Sequence, residues 1–473
     1  MSDQVREQIT NDEVSITTST NDTDNVKSVE TFTVENSTVD VSTVDNAAET
    51  GDEINEDEVD PYDGIEFVSH SKGSTWRFQM NPAQNIFRTD ELDDVDHGVF
   101  VQYDGQRTVE NEKGYLSEDD LNDFRRAAIV HKVVRNEARK HLYPGGRLST
   151  LVDVVESMTL RLTKQDPQTY YVKGSTRNND GGIAFPVGVN INNIVAHDSK
   201  TTAIKDDRTF VLGDVVKVDI GVHINGRIID SAFTHIVSNS AGISDPDSYY
   251  NTVLEASRDS VFSTIKMAGP DQSLYELSEN IEEIIESYEI DLAGNTIPIR
   301  AVEGIGGHNI LKHQIHGGKL ILCVPDEELQ GDLRMEEDEV YAIETYASTG
   351  IGHITQNDTM AQCTHFMEMD HESIENNKNI TKNFKKQFRR LPFYKWLQTR
   401  NGLPFSSSWL QDKNVDKIPK MSKAFKMGIE TGQMVAYPPL NDEPNSVVAQ
   451  FEHTIHLGRN DGVVEIFSLG NDY

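Results

Sequence analysis

The chain has 473 residues, 36% apolar, 26% charged and 8% aromatic, and its formal net charge is −35. That length is a prior of about three domains or one long α/β domain, and the acidity excludes a general nucleic-acid binder, which needs a basic surface. There is no run of about 18 apolar residues to cross a membrane, the start lacks the apolar core of a signal peptide, and Cys323 and Cys363 are too few for a disulfide scaffold or a four-cysteine zinc site, so a cytoplasmic protein is expected.

Residues 1–60 hold 17 Asp and Glu against Arg6 and Lys27 alone, with Phe32 the one aromatic. Such a segment buries too little apolar surface to offset its ordering entropy, and a disordered acidic tail is expected. An N-terminal extension with strand-like pieces, GIEFVSH and GVFVQY, follows over 61–110. Ser117 with Asp120 three residues on signals a helix start, and Leu121, Phe124 and Ala128 continue it toward Tyr143, where Pro144, Gly145 and Gly146 stop it. A second helix is expected from Leu148 to Leu162. Further on, a helix from Tyr250 to Met267 ends at Ala268, Gly269 and Pro270. Leu274, Leu277 and Ile281 then repeat Leu148, Leu151 and Val155 at an offset of 126 residues, and Glu282 follows as Glu156 does. The repeat implies a duplicated unit of two helices plus a sheet, hence an α/β (α+β) domain of two pseudo-symmetric halves.

The segment VKVDIGVHINGRIIDSAFTH, ending at His235, has two alternating apolar runs around Asn225-Gly226, a strong hairpin signal. A two-residue turn there pairs Ile224 with Arg227, Gly221 with Asp230 and Asp219 with Ala232. Asp219 and Asp230 then become diagonal neighbours on one face, their Cβ atoms about 7 Å apart. Two carboxylates on a buried face repel; either the face is exposed, one proton is retained, or a hard cation neutralises both. His308 and His316 lie between glycines, Glu344 ends an apolar strand, and Glu452 sits mid-strand. Each alone reads equally as a satisfied core group or an edge-strand charge; together they favour a metal.

Residues 366–430 look largely helical and carry a basic stretch at Lys382, Lys385, Lys386, Arg389, Arg390 and Lys395. A solvated helix face is the plain reading, and a docking patch for RNA or an acidic partner the alternative. The runs SVVAQFEHTIHL and GVVEIFSL close the chain as strands.

These motifs resemble the type 2 methionine aminopeptidases, members of the pita-bread metallopeptidases. The resemblance covers roughly residues 110–473. It rests on FPVGVNINNIVAH (185–197), VDIGVHINGRIIDSAFT (218–234), GGHNI (306–310), QIH (314–316), RMEEDEVYAIET (334–345), YPPL (437–440) and AQFEHTI (449–455). It implies a pita-bread catalytic domain over 111–473, with a helical insertion at about 366–430. It also implies two divalent ions (Co, Zn, Mn or Fe) held by Asp219, Asp230, His308, Glu344 and Glu452. His308 and Glu344 would serve one ion and Asp219 the other, with Asp230 and Glu452 bridging. Such ions activate water for attack on the amide after the first residue. Glu344 would pass the proton, His197 and His316 would contact the scissile amide, and Phe185, Ile315, His365 and Tyr437 would line a methionine pocket.

The implied substrates are nascent polypeptides beginning with Met and a small second residue. A monomer is implied, and the lysine-poor tail weakens any contact with the ribosome or an initiation factor. Asp338 stands where glycine is frequent in that family, and PDEELQGD (325–332) looks expanded; both are expected as loop effects. The alternatives are a proline-specific aminopeptidase on the same fold and a non-catalytic pita-bread protein that binds RNA or regulatory partners. The second loses force because all five ligand positions are filled.

Overall fold

The structure is a computed structural model that describes residues 114–163, 181–201, 208–246, 248–292, 294–356, 363–369, 386–410, 421–459 and 463–470, together with short strands between 68 and 102. The acidic tail, most of 61–110, and Lys382 and Lys385 of the basic stretch lie outside the described residues. Among the described residues no helix is long and apolar enough to cross a membrane. Cys323 and Cys363 are both buried and free.

Helix α1 (Glu118–Arg139) starts where its cap is written. Ser117 Oγ accepts from the Asp120 backbone N–H at 3.2 Å, and Asp120 Oδ2 accepts from the Ser117 N–H at 3.1 Å. Three acidic residues in the first turn add to this by facing the positive end of the helix dipole. The helix ends a turn before Tyr143. There His141 and Leu142 donate to carbonyls only three residues back, which tightens the chain into the Gly145–Gly146 corner. Helix α2 (Leu148–Leu162) buries Leu148, Leu151 and Val155. Both helices back a four-stranded sheet built from β1 (Gly188–Ile191), β2 (Val215–Ile224), β3 (Arg227–Ile236) and the short strand Gly182–Ile183. The β2–β3 hairpin turns at Asn225-Gly226, both with positive φ, in the register expected from that dipeptide.

The second half repeats the plan. Helices α3 (Asn251–Met267) and α4 (Leu274–Glu286) bury Leu274, Leu277 and Ile281 in the places of Leu148, Leu151 and Val155. They back an eight-stranded sheet in which β4 (Gly306–Ile310), β5 (Val340–Ser348) and β6 (Val448–Leu457) lie side by side. The duplication extends to single residue pairs. Asp219 faces Ala232 as Glu344 faces Glu452, and Gly221 faces Asp230 as Tyr346 faces Gln450. In the third strand Asn190 lies opposite Lys217 as His308 lies opposite Ala342.

The two sheets meet along β3 and β6 through hydroxyl stitches. Thr454 Oγ1 accepts from the Asp230 N–H at 2.8 Å and donates to the Asp230 carbonyl at 2.6 Å. Thr234 does the same for Gln450, at 2.8 and 2.7 Å. Ser231 Oγ adds a bond to the Glu452 carbonyl at 2.7 Å. Each threonine thus satisfies two buried backbone groups of the opposite strand. From the helix layer, His131 Nε2 donates to the Ile220 carbonyl at 3.0 Å, pinning α1 to the back of the hairpin.

The described residues of 366–430 are mostly helical, as expected, with two short strands among them. The described part holds the strands His365–Glu368 and Phe405–Ser406 and the short helices Pro392–Leu397 and Met421–Glu430. The strands join Met434–Tyr437 in a three-stranded sheet. Phe366, Phe388, Phe393, Trp396, Phe405 and Trp409 give this region a core of its own, which reaches the first half through Leu160 and Ile183. Lys386, Arg389, Arg390 and Lys395 are exposed on it. Asp338 has φ 61, in the left-handed region where Asp is tolerated, and its carboxylate accepts from His456 Nε2 at 2.8 Å and from the Leu116 N–H at 3.1 Å. The expanded segment before it contains the helical turn Glu327–Gln330.

The hydroxyl seam makes a specific stability prediction. Thr454→Val keeps the shape but strands the Asp230 N–H and carbonyl, at a cost of about 1–3 kcal/mol. Urea unfolding should show that loss with an unchanged denaturant slope. A variant as stable as the parent would mean the seam is held by packing alone.

Candidate metal centre

Strand alternation places the chemistry. On β5 and β6 the cross-strand pair Glu344–Glu452 points to the same side as Tyr346–Gln450. On the hairpin, Asp219 and Asp230 point to one side as diagonal neighbours. Because β3 and β6 adjoin, the two carboxylate-bearing faces come together.

One oxygen from each of Asp219, Asp230 and Glu452 lies within 4.8 Å of the other two. His308 Nε2 stands 3.7 Å from Asp230 Oδ2 and 3.9 Å from Glu344 Oε1. Asp230, His308, Glu344 and Glu452 are buried, and Asp219 nearly so. Asp219 Oδ1, Asp230 Oδ1 and Glu452 Oε2 are buried oxygens without a hydrogen-bond partner among the described residues. Buried carboxylate oxygens are ordinarily satisfied, so three orphans facing one another form a cradle for positive charge.

Burial lifts every carboxylate of the group. Asp219 rises to about 6, and Glu344 to about 8 with further repulsion from Asp219. Asp230 and Glu452 go well above the ordinary range, through burial first, then through the charges of Asp219 and Glu344 on Asp230 and of Asp230 and Glu344 on Glu452. Burial pushes His308 well below the usual imidazole value, which leaves its ring neutral and free to act as a ligand. Four carboxylates and a neutral imidazole suit a divalent ion of the borderline or hard class. The donor set therefore fits a divalent metal.

A cavity of about 260 Å³ opens over these groups, and all eleven residues singled out in the sequence line it. His197 has φ 67, an uncommon conformation outside glycine. Its ring lies 5.8 Å from that of His365 and 5.5 Å from that of Tyr437. Burial lowers His197 to about 4, so it is a neutral imidazole. His365 Nε2 donates to the Pro186 carbonyl at 3.0 Å, while Nδ1 accepts from Thr364 Oγ1 at 2.8 Å, so its proton is committed and it serves as wall. Phe185 lies over Gly221, where an added Cβ would come within 2.3 Å of the ring. His316 is exposed, with its ring 4.1 Å from that of His308.

Sequence reasoning missed several lining residues: Tyr346, Met367, Pro404, Leu440 and the neighbour Gln450, which donates from Nε2 to Tyr346 Oη at 2.8 Å and to Glu344 Oε2 at 3.2 Å. The signal for Tyr346 and Gln450 was present, because each is two residues from a candidate ligand on the same strand face.

A family model described as metallopeptidase family M24 matches residues 122–370. Methionine aminopeptidase 2-1 of Ajellomyces capsulatus is 36% identical over 389 residues, covering 80% of this chain and 78% of that one. Methionine aminopeptidase 2 of Sclerotinia sclerotiorum is 33% identical over 413 residues, covering 85% and 84%. Among solved structures, a thermophilic Arx1 is similar in fold, with TM-score 0.55 at 17% identity over 74% of this chain and 91% of that one. Model match and relatives agree with the buried donor set, and the chain belongs to metallopeptidase family M24, in its methionine aminopeptidase 2 group.

Proposed function

We propose that the protein is a methionyl aminopeptidase, a metal-dependent hydrolase that removes the first methionine from polypeptides with a small second residue. The observation that carries this reading is one cavity in which the five candidate ligands adjoin an apolar wall of Phe185, Ile315, His365 and Tyr437. Asp219, Asp230, His308, Glu344 and Glu452 would hold two divalent cations, drawn from Co, Zn, Mn and Fe. Bound there, they would supply Lewis acidity that polarises the scissile carbonyl and acidifies water near neutral pH. Nascent chains beginning with Met in the cytoplasm are the substrates this reading names.

The chain's own residues supply the rest. The apolar wall takes an unbranched side chain and excludes water from it. Neutral His197 can donate a hydrogen bond to an oxygen gaining negative charge without bringing a charge of its own. His316, at the exposed side, approaches the same space from the second half. Glu344 is the carboxylate best placed to take and return a proton, since Oε2 is held by Tyr346 and Gln450 while Oε1 faces His308.

Peptide assays test the reading. Chelated protein reconstituted with divalent cation should release Met from Met-Ala-Ser and leave Ala-Pro-Ser intact; the opposite preference would favour a proline-specific enzyme. Asp230→Ala should abolish turnover and lower metal content per chain. His197→Asn should lower kcat by about 10²–10³ with metal content unchanged. Full activity in either variant would remove the role assigned to that residue.

The raised carboxylates also set a pH dependence. A carboxyl group whose folded value exceeds its unfolded value stabilises the fold below the unfolded value, near 4, and loses that contribution as pH rises through the folded value. With chelator, the thermal midpoint should therefore fall as pH rises through about 6 and on through about 8, following Asp219 and Glu344. Saturating divalent cation should restore the midpoint at pH 8, and calorimetry should record protons released on binding. A midpoint indifferent to pH across that window in chelator would contradict the clustering.

A further inference from the structure

The two halves share their strand pairing around the carboxylates but differ in the residues they place there, and one such cross-strand pair bears on Glu344. Where the first half has Gly221 and Asp230, the second has Tyr346 and Gln450. Both members of the pair that replaces them converge on one oxygen of Glu344. Tyr346 Oη donates to Glu344 Oε2 at 2.6 Å, and Gln450 Nε2 donates both to Tyr346 Oη at 2.8 Å and to Glu344 Oε2 at 3.2 Å. A further, longer contact runs from Gln450 Nε2 to Asp219 Oδ2 at 3.5 Å. The amide oxygen of Gln450 is buried without a partner among the described residues, so the side chain is set for its donors at the expense of its acceptor.

Asp219 has no such clamp, since its cross-strand neighbourhood holds Gly221, with the Phe185 ring over it. The consequence is visible in the oxygens. Asp219, Asp230 and Glu452 each present a buried oxygen without a partner among the described residues, whereas Glu344 Oε2 accepts from both Tyr346 and Gln450.

We propose that Tyr346 and Gln450 are a positioning pair for the metal centre. They hold Glu344 Oε2 as an acceptor and turn the carboxylate so that Oε1 alone is offered on the His308 side. The pair makes Glu344 a one-oxygen ligand and leaves the other three carboxylates free to span the cradle. Partners that orient ligands commonly carry about 10–100-fold in metal affinity or activity. The inference rests on the reading of Glu344 as a ligand.

Cobalt binding by the full chain tests it. Tyr346→Phe and Gln450→Leu are compared with the parent by calorimetric Co²⁺ titration, by the visible absorption of the Co²⁺-loaded protein and by thermal unfolding. Tyr341→Phe is the control: Tyr341 lies on the same strand, is buried, and donates to Glu339 Oε2 at 2.6 Å away from the cradle. Each of the first two variants should bind Co²⁺ about tenfold more weakly and shift the absorption bands. The double variant should lose little more than either single one, because the two side chains act on one oxygen. Tyr341→Phe should change the thermal midpoint alone. Parent-like affinity and spectra in both Tyr346→Phe and Gln450→Leu would overturn the pair while leaving the ligand assignment standing. An equal loss in Tyr341→Phe would overturn it as well, by showing a general core effect. A parent chain that binds no Co²⁺ would overturn the ligand reading and the pair with it.

Discussion

Burying four carboxylates on one seam is the constraint around which this molecule is arranged. Each loses its water and meets the charge of the others, and three of their oxygens find no hydrogen-bond donor among the described residues. The long strands, the hydroxyl stitches and the double layer of helices keep these groups together against their own repulsion. A cation or bound protons must balance them, which ties folding, metal and pH into one equilibrium.

The seam explains why two similar halves are needed. A single hairpin brings two carboxylates together but leaves one side open. Placing a second sheet edge to edge with the first closes the cradle, and Thr234 and Thr454 make that closure reciprocal. The symmetry is then broken locally. Glu156 and Glu282 look alike in sequence, yet Glu156 is buried and accepts from Trp409 Nε1 at 2.8 Å, whereas Glu282 is only half-buried. The tryptophan belongs to the aromatic core between His365 and Tyr437 in sequence, the same stretch that brings Met367 and Pro404 to the cavity. That stretch thus contributes part of the cavity wall as well as an aromatic core.

Much of this is legible in the chain. Asn225-Gly226 fixes the turn, the turn fixes the register, and the register puts Asp219 and Asp230 on one face, all from residues within a dozen positions of one another. Ser117, the Gly145–Gly146 corner and the repeated leucines mark the helices by local chemistry. Long-range pairing is harder to read. The strand His365–Glu368 resembles the start of a helical insertion because its partners, Phe405–Ser406 and Met434–Tyr437, lie far along the chain. Tyr346 and Gln450 are easily passed over because an uncharged side chain inside an apolar strand has an ordinary explanation in packing. Only the pairing of β5 with β6 shows that both point at Glu344.

The fold alone does not decide function. A twofold scaffold of this kind resembles a structure at 17% identity, and such a likeness carries the chain path without the chemistry. What separates a metallopeptidase from a binding protein on the same path is the side-chain set at the seam. Here a symmetric frame carries asymmetric donors: His308 stands where the first half has Asn190, Glu452 where it has Ala232, and Gln450 where it has Asp230. Two of these exchanges add candidate ligands to the second half and the third removes a charge from it. The first half keeps two acidic side chains with room beside them, and the second supplies a neutral ring, two glutamates and their orienting donors. That division would give two cation positions unlike surroundings, which a two-fold site with identical halves could not provide.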